Sequence, residues 1–137
     1  MIDKIIKFFD SRIKYHRPTN PMSKGELAVR NCLIELDMKY MYQFRIGNLN
    51  ADFGVFVNKK WCLIEYNGGQ HYHPVAKFGG IPAFCKQVFR DLFVKFRCWY
   101  YDIPLLVIPY WEKDINKCVK QFVHKHGNSI GAKNKTC

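Results

Sequence analysis

Glu65, Tyr66, Asn67, Gly68, Gly69, Gln70 and His71 put an acid, an amide and an imidazole into one glycine-bearing turn, directly after the apolar run from Trp61 to Ile64. A strand that ends this way delivers reactive groups to one place. Asp52 lies upstream in another strand-like segment, Glu26 in a helical one before it, and Asp91 in a helical one after the turn. Four carboxylates and a histidine drawn from separate elements suit phosphodiester hydrolysis with a divalent cation. The carboxylates would hold a hard ion such as Mg²⁺. A histidine side chain, which titrates near neutral pH, would handle the attacking water.

Spacing supplies the geometry. If Asn58-Lys59 forms a two-residue hairpin turn, Val57 pairs with Lys60, and counting back sets Asp52 opposite Glu65. Cross-strand partners hold their Cβ atoms about 4.5–5.5 Å apart, within reach of one ion. A three-residue turn would instead oppose Asp52 to Tyr66 and turn Glu65 to the other face. In this reading Asp52, Glu65 and His71 converge on one cation, and Gly68-Gly69 bends the chain so that His71 returns over the strand end.

Each residue also has a plainer reading. Ser23-Lys24-Gly25-Glu26 fits a capping box, in which Glu26 merely satisfies a helix start, and Glu26 can pair with Arg30 one turn on. Asp91 can pair with Lys95, although Lys95 could equally aim its ammonium at a phosphate. Asp52 and Glu65, among apolar neighbours, could be neutralised by nearby lysine or arginine.

The elements that must position these groups follow from periodicity. Ile2, Ile5, Ile6, Phe9 and Ile13 predict an amphipathic helix over residues 1–17, ended by Pro18 and Pro21. Ser23 then caps a second helix whose stripe is Leu27, Val29, Leu33 and Leu36, running to about Met38. Tyr40–Ile46, Ala51–Val57 and Trp61–Tyr66 read as three strands joined by short turns, an antiparallel meander. Asn67 to Pro82 reads as a functional loop. Phe84, Val88, Phe89, Leu92, Phe93 and Phe96 predict a long helix from about Ala83 to Tyr101 with a broad buried face. Leu105–Ile108 reads as a short buried strand and Ile115, Val119, Phe122 and Val123 as a last helix. The order implies an α/β sandwich with a mixed sheet. Residues 1–126 form one domain, with the core at 23–124 and a basic, flexible tail at 127–137 that carries Lys133 and Lys135.

Composition narrows the partner. The 137 residues are 48% apolar and 16% aromatic, enough for a core, yet carry 22 Lys and Arg against 11 Asp and Glu, a net charge of +11. That surplus points to a polyanion, and nucleic acid is the commonest. Six cysteines sit singly without a CxxC pair, four of them (Cys32, Cys62, Cys98 and Cys118) among apolar residues, which reads as reduced core thiols. A zinc site using His71 or His73 with dispersed cysteines is the weaker alternative. The amino terminus is too charged for a signal peptide and no apolar run reaches membrane-spanning length. The expected place is therefore the cytoplasm or nucleoid of the host cell, with no membrane partner and no secretion.

With these residues in this order, the chain resembles the PD-(D/E)xK, or restriction-endonuclease-like, nuclease superfamily. Within it the chain is most similar to the branch of very-short-patch repair endonucleases and EDxHD-type phage homing endonucleases. The resemblance covers residues 23 to 124. It implies a restriction-endonuclease-like sandwich and a Mg²⁺-dependent DNA endonuclease, with Mn²⁺ as substitute. It also implies that Asp52 binds the metal, that His71 and Glu26 handle the water at the metal, and that Asp91 supports the histidine. The superfamily's usual lysine two residues after the second acid is Asn67 here, and the repair enzymes' zinc-binding cluster is not visible. A phage-type or stand-alone nuclease is therefore expected over mismatch repair. A Holliday-junction resolvase, which would need a homodimer, and a non-catalytic nucleic-acid-binding module on the same fold are the alternatives.

Overall fold

The computed structural model describes residues 21–46 and 49–127. The amphipathic segment at 1–17 and most of the basic tail, with Lys133 and Lys135, lie outside them. Helix α1 spans Lys24–Glu35, strands β1, β2 and β3 span Lys39–Ile46, Leu49–Val57 and Lys60–Asn67, helix α2 spans Gly80–Tyr100, β4 spans Leu105–Pro109, and α3 spans Ile115–Gly127.

The strands make one sheet in the order β1-β2-β3-β4. The first three are an antiparallel meander, and β4 joins β3 in parallel after the α2 crossover. Val57 pairs with Lys60, and Asn58 and Lys59 both take left-handed backbone angles, with φ of 50° and 66°. That is a two-residue turn whose twist matches that of the strands it joins. The two-residue alternative is therefore the one adopted.

Helices cover both faces. α1 and α3 bury Val29, Cys32, Leu33, Val119 and Phe122 against Phe53, Val55, Val57, Cys62, Ile64 and Ile108. On the other face α2 contributes Val94 and Cys98 against Phe44, Leu49, Ala51 and Leu63. The architecture is thus α/β, a four-stranded mixed sheet flanked by helices, as the residue pattern predicts.

One feature of the sheet was not predictable from alternation. Leu49, Ala51, Phe53, Val55 and Val57 occupy every second position of β2, yet the first two face α2 and the last three face α1 and α3. β1 does the same: Tyr40 and Tyr42 pack on the α1 side while Phe44 packs on the α2 side. Both strands switch faces at the Gln43–Asp52 position, where Gln43 is left-handed at φ 51°. The register on either side is unchanged.

The long helix departs from expectation. Its N-terminus lies three residues earlier, at Gly80, and the Asn67–Pro82 stretch contains two short 3₁₀ turns, Gly69–His71 and Ala76–Phe78. Its face is not broadly buried: only Val94 and Cys98 are fully so, while Phe89, Leu92, Phe93 and Phe96 are exposed and Phe84 and Val88 half-buried. α1 also stops earlier, at Glu35 with Leu36 as its cap and Asp37 left-handed.

Candidate active site

The β2–β3 ladder ends at Phe53–Ile64, one step short of Asp52 and Glu65. The Asp52 carboxylate takes over there: its Oδ2 accepts the Tyr66 backbone N–H at 2.7 Å. Because Asp52 sits where β2 changes face, its side chain closes the gap between strands rather than entering either core. Its partner is a backbone amide, not the lysine or arginine of the plainer reading.

Around this point an open cleft of about 810 Å³ is lined by Asp52, Glu65, Asn67, His71, Gln87, Arg90 and Asp91, with Gln43, Arg45 and Asn50 along one rim. Withdrawal from water pushes Asp52 up to about 7; the Tyr66 N–H opposes this, and Glu26, which hydrogen-bonds and repels it, adds to it. Burial likewise pushes Glu65 up to about 7, followed by the charges of Asp52 and Asp91, with Lys95 and Arg90 pulling the other way. Glu26 thus disfavours the ionisation of Asp52, and Asp52 that of Glu65, so acids gathered in this cleft favour a bound positive charge.

Glu26 forms the anticipated capping box. Ser23 N–H donates to Glu26 Oε2 at 2.7 Å and Glu26 N–H donates to Ser23 Oγ at 3.2 Å, a complete capping box. Its carboxyl also meets Asp52 and the Tyr42 hydroxyl. The approach depends on Gly25, because a Cβ there would overlap the Tyr66 ring. The helix start is pressed flat onto the residue whose N–H holds Asp52.

On the other wall His71 Nδ1 lies 2.9 Å from Asp91 Oδ2, and Gln87 Nε2 donates to Asp91 Oδ1 at 2.8 Å. Asp91 therefore holds the histidine, not Lys95. A carboxylate oxygen accepts, so in the neutral ring Nδ1 carries the hydrogen and Nε2 keeps its lone pair. Among the described residues no group of three or more His, Cys, Asp or Glu could hold a metal ion. Asp52 and Glu65 line the same cleft as His71, whose ring is turned to Asp91.

The glycine pair works differently from expectation as well. Neither Gly68 nor Gly69 is left-handed; among the described residues the positive-φ glycines are Gly79 and Gly80. Gly69 instead leaves room for the His73 ring, which a Cβ would approach to 3.1 Å, and Gly68 for the Gln70 amide at 2.6 Å. Asn67 is buried and hydrogen-bonds the Tyr72 hydroxyl. That bond ties the strand end to an aromatic group in which the Tyr72 ring lies 4.4 Å from Trp111 and 5.9 Å from Tyr110, tilted against both.

Gln43, Gln87, Arg45 and Arg90 are cleft residues that motif reading missed. Gln87 was detectable, being one helical turn before Asp91, where an amide can orient a carboxylate. Arg45 donates to Asn50 at 2.8 Å across the β1–β2 pair, a contact that only the register reveals. The thiols are uninvolved: burial holds Cys62 and Cys98 up at about 11, and Cys32, Cys62, Cys85, Cys98 and Cys118 are all free. Among the described residues no helix is long and apolar enough to cross a membrane.

No family model and no solved structure matches the chain. An uncharacterized protein of Frog virus 3 (isolate Goorha), 094L, is 34% identical over 102 residues, covering 68% of this chain and 66% of the relative. Another, 307L of Invertebrate iridescent virus 6, is 34% identical over 70 residues, covering 50% of this chain and 36% of the relative. The chain spans less than two thirds of the length of each relative.

Proposed function

We propose that this chain is a divalent-metal-dependent DNA endonuclease with a restriction-endonuclease-like core, encoded like its relatives by a virus. The observation that carries the reading is one cleft lined by Asp52, Glu65, His71 and Asp91, with the His71 ring held 2.9 Å from Asp91 and the charge of Asp52 acting on Glu65. The donor set fits Mg²⁺, which takes one or two carboxylates and leaves its other positions to water and phosphate oxygens. When bound there, the ion would offset charge on the phosphate and make a water more acidic.

The protein's own groups then divide the work. Asp52 is fixed by the Tyr66 N–H, and Glu65, one residue before Tyr66 on β3, lines the same cleft, so the two acids would supply the oxygens for the ion. His71 Nε2 takes the proton of the attacking water, while Asp91, held by Gln87, keeps the ring oriented and steadies the charge it gains. The water oxygen bonds to phosphorus as the bond to the sugar oxygen breaks, and the electron pair leaves with that oxygen. Arg90 and Arg45 at the rim, and Lys95 beyond, supply cationic contacts for the backbone on either side. A module that only bound nucleic acid would gain nothing from two acids beside the phosphates, since their ionised forms repel them.

The test is incubation of the purified chain with supercoiled, linear and branched DNA, with and without Mg²⁺. Cleavage that needs the ion and vanishes in Asp52→Asn supports the reading. Binding without cleavage on all three DNAs, in Mg²⁺ and in Mn²⁺, would leave the binding module in its place. Cleavage confined to branched DNA would point to junction resolution.

A further inference from the structure

One side of α2 is apolar and faces solvent. Phe89 and Trp99 are 75% and 76% exposed, Tyr100 66%, Leu92 and Phe96 57% each, and Phe93 47%. At about 100° per residue these six share about a third of the helix circumference. An aromatic side chain presents about 150–250 Å² when bare, so the six together leave on the order of 700 Å² uncovered. The largest apolar patch on a monomer is about 300–600 Å², whereas each partner in a stable interface buries about 800 Å². The strip exceeds the first and nearly supplies the second.

The rings are also ordered in advance. Phe96 lies 6.0 Å from Trp99 and 6.2 Å from Tyr100, and the Arg97 guanidinium stands 5.3 Å over Phe93. Side chains already held by their neighbours lose little freedom on docking.

The symmetry of the strip selects its occupant. Along one edge Lys86, Phe93 and Tyr100 recur every seven residues, a cation and a phenol ring equally far from a central phenyl ring. If a second α2 packs antiparallel about a two-fold axis beside Phe93, Lys86 of each copy meets Tyr100 of the other, a cation against an aromatic face. Phe89 then comes level with the gap between Phe96 and Trp99 of the other copy, so the rings interdigitate. A parallel pairing would set Lys86 against Lys86 and Lys95 against Lys95.

We propose that α2 packs antiparallel against α2 of a second copy of this chain, making a two-fold dimer. Gln87, Arg90 and Asp91, which line the cleft, lie outside the strip, so the dimer does not depend on the proposed cleavage.

Sedimentation equilibrium of the full chain tests it. At about 10 µM the chain should show twice its single-chain mass, since interfaces of this size bind at micromolar concentration or tighter. Phe96→Asp and Trp99→Ser, both at exposed positions, should each raise the dissociation constant at least about thirtyfold while the circular dichroism spectrum stays unchanged. In a chain carrying Cys85→Ser, Cys118→Ser and Cys137→Ser, a short bismaleimide should link Phe93→Cys to its copy and leave Lys86→Cys unlinked. A chain that stays monomeric at about 100 µM, well above the micromolar range, overturns the proposal in favour of another occupant of the strip. A dimer that survives both substitutions overturns it by placing the interface elsewhere. Linked Lys86→Cys copies overturn the antiparallel pairing.

Discussion

Asp52 and Glu65 each keep a proton to about pH 7 in the fold, whereas an unfolded carboxylic acid gives it up near 4. Between these values the folded chain binds more protons than the unfolded one, so this pair lowers stability as pH rises from 4 to 7, and the full cost stands above 7. Asp52→Asn retains an oxygen for the Tyr66 N–H and removes the charge. It should raise stability at pH 8 by about 1–3 kcal/mol and do little at pH 4, as thermal melts without divalent ions would register. The same variant should abolish cleavage. Mg²⁺ should raise the melting temperature of the unaltered chain at pH 8 and scarcely at pH 5, because only the ionised pair attracts it. His71→Ala should lower kcat by about 10²–10⁴ with little change in KM, a split that single-turnover rates at saturating DNA would check. An unchanged rate would reduce His71 to a structural residue.

At the scale of elements, the meander and its register were legible because Asn58-Lys59 permits few turns and apolar alternation flanks it. Lys59 pays for that turn with a left-handed backbone that glycine adopts freely; Lys59→Gly should stabilise by about 1 kcal/mol in urea titrations with the slope unchanged. The candidate acids and the histidine were legible from residue type and order, but the contacts that position them were not. β2 alternates without a break, so nothing in its pattern announces that Ala51 and Phe53 face opposite cores. α2 misled for a related reason: periodicity measures how much of a helix is apolar, not which part of that surface the sheet reaches. Gly25, which the sequence placed only within a capping box, is a point of contact with the Tyr66 ring. Gly25→Ala should cost about 1–3 kcal/mol and slow cleavage, since the methyl group would displace the Tyr66 ring and with it the amide that holds Asp52.

For the whole molecule, a net charge of +11 predicts DNA affinity that falls steeply and linearly with the logarithm of salt concentration, as lysines and arginines displace counterions. A flat dependence in filter-binding or anisotropy titrations would argue for another kind of partner. Truncation after Gly127 removes Lys133 and Lys135 and should weaken binding equally across sequences while leaving the melting temperature unchanged. Shape carries a further consequence through the order of the strands. Among the described residues β1 lies at one edge of the sheet, and KYMYQFRI is the kind of apolar, aromatic run that recruits strands from other chains. The left-handed Gln43 breaks that edge into two runs too short to template a neighbour. The kink that lets the strands change faces thus also guards a crowded solution of this protein against aggregation.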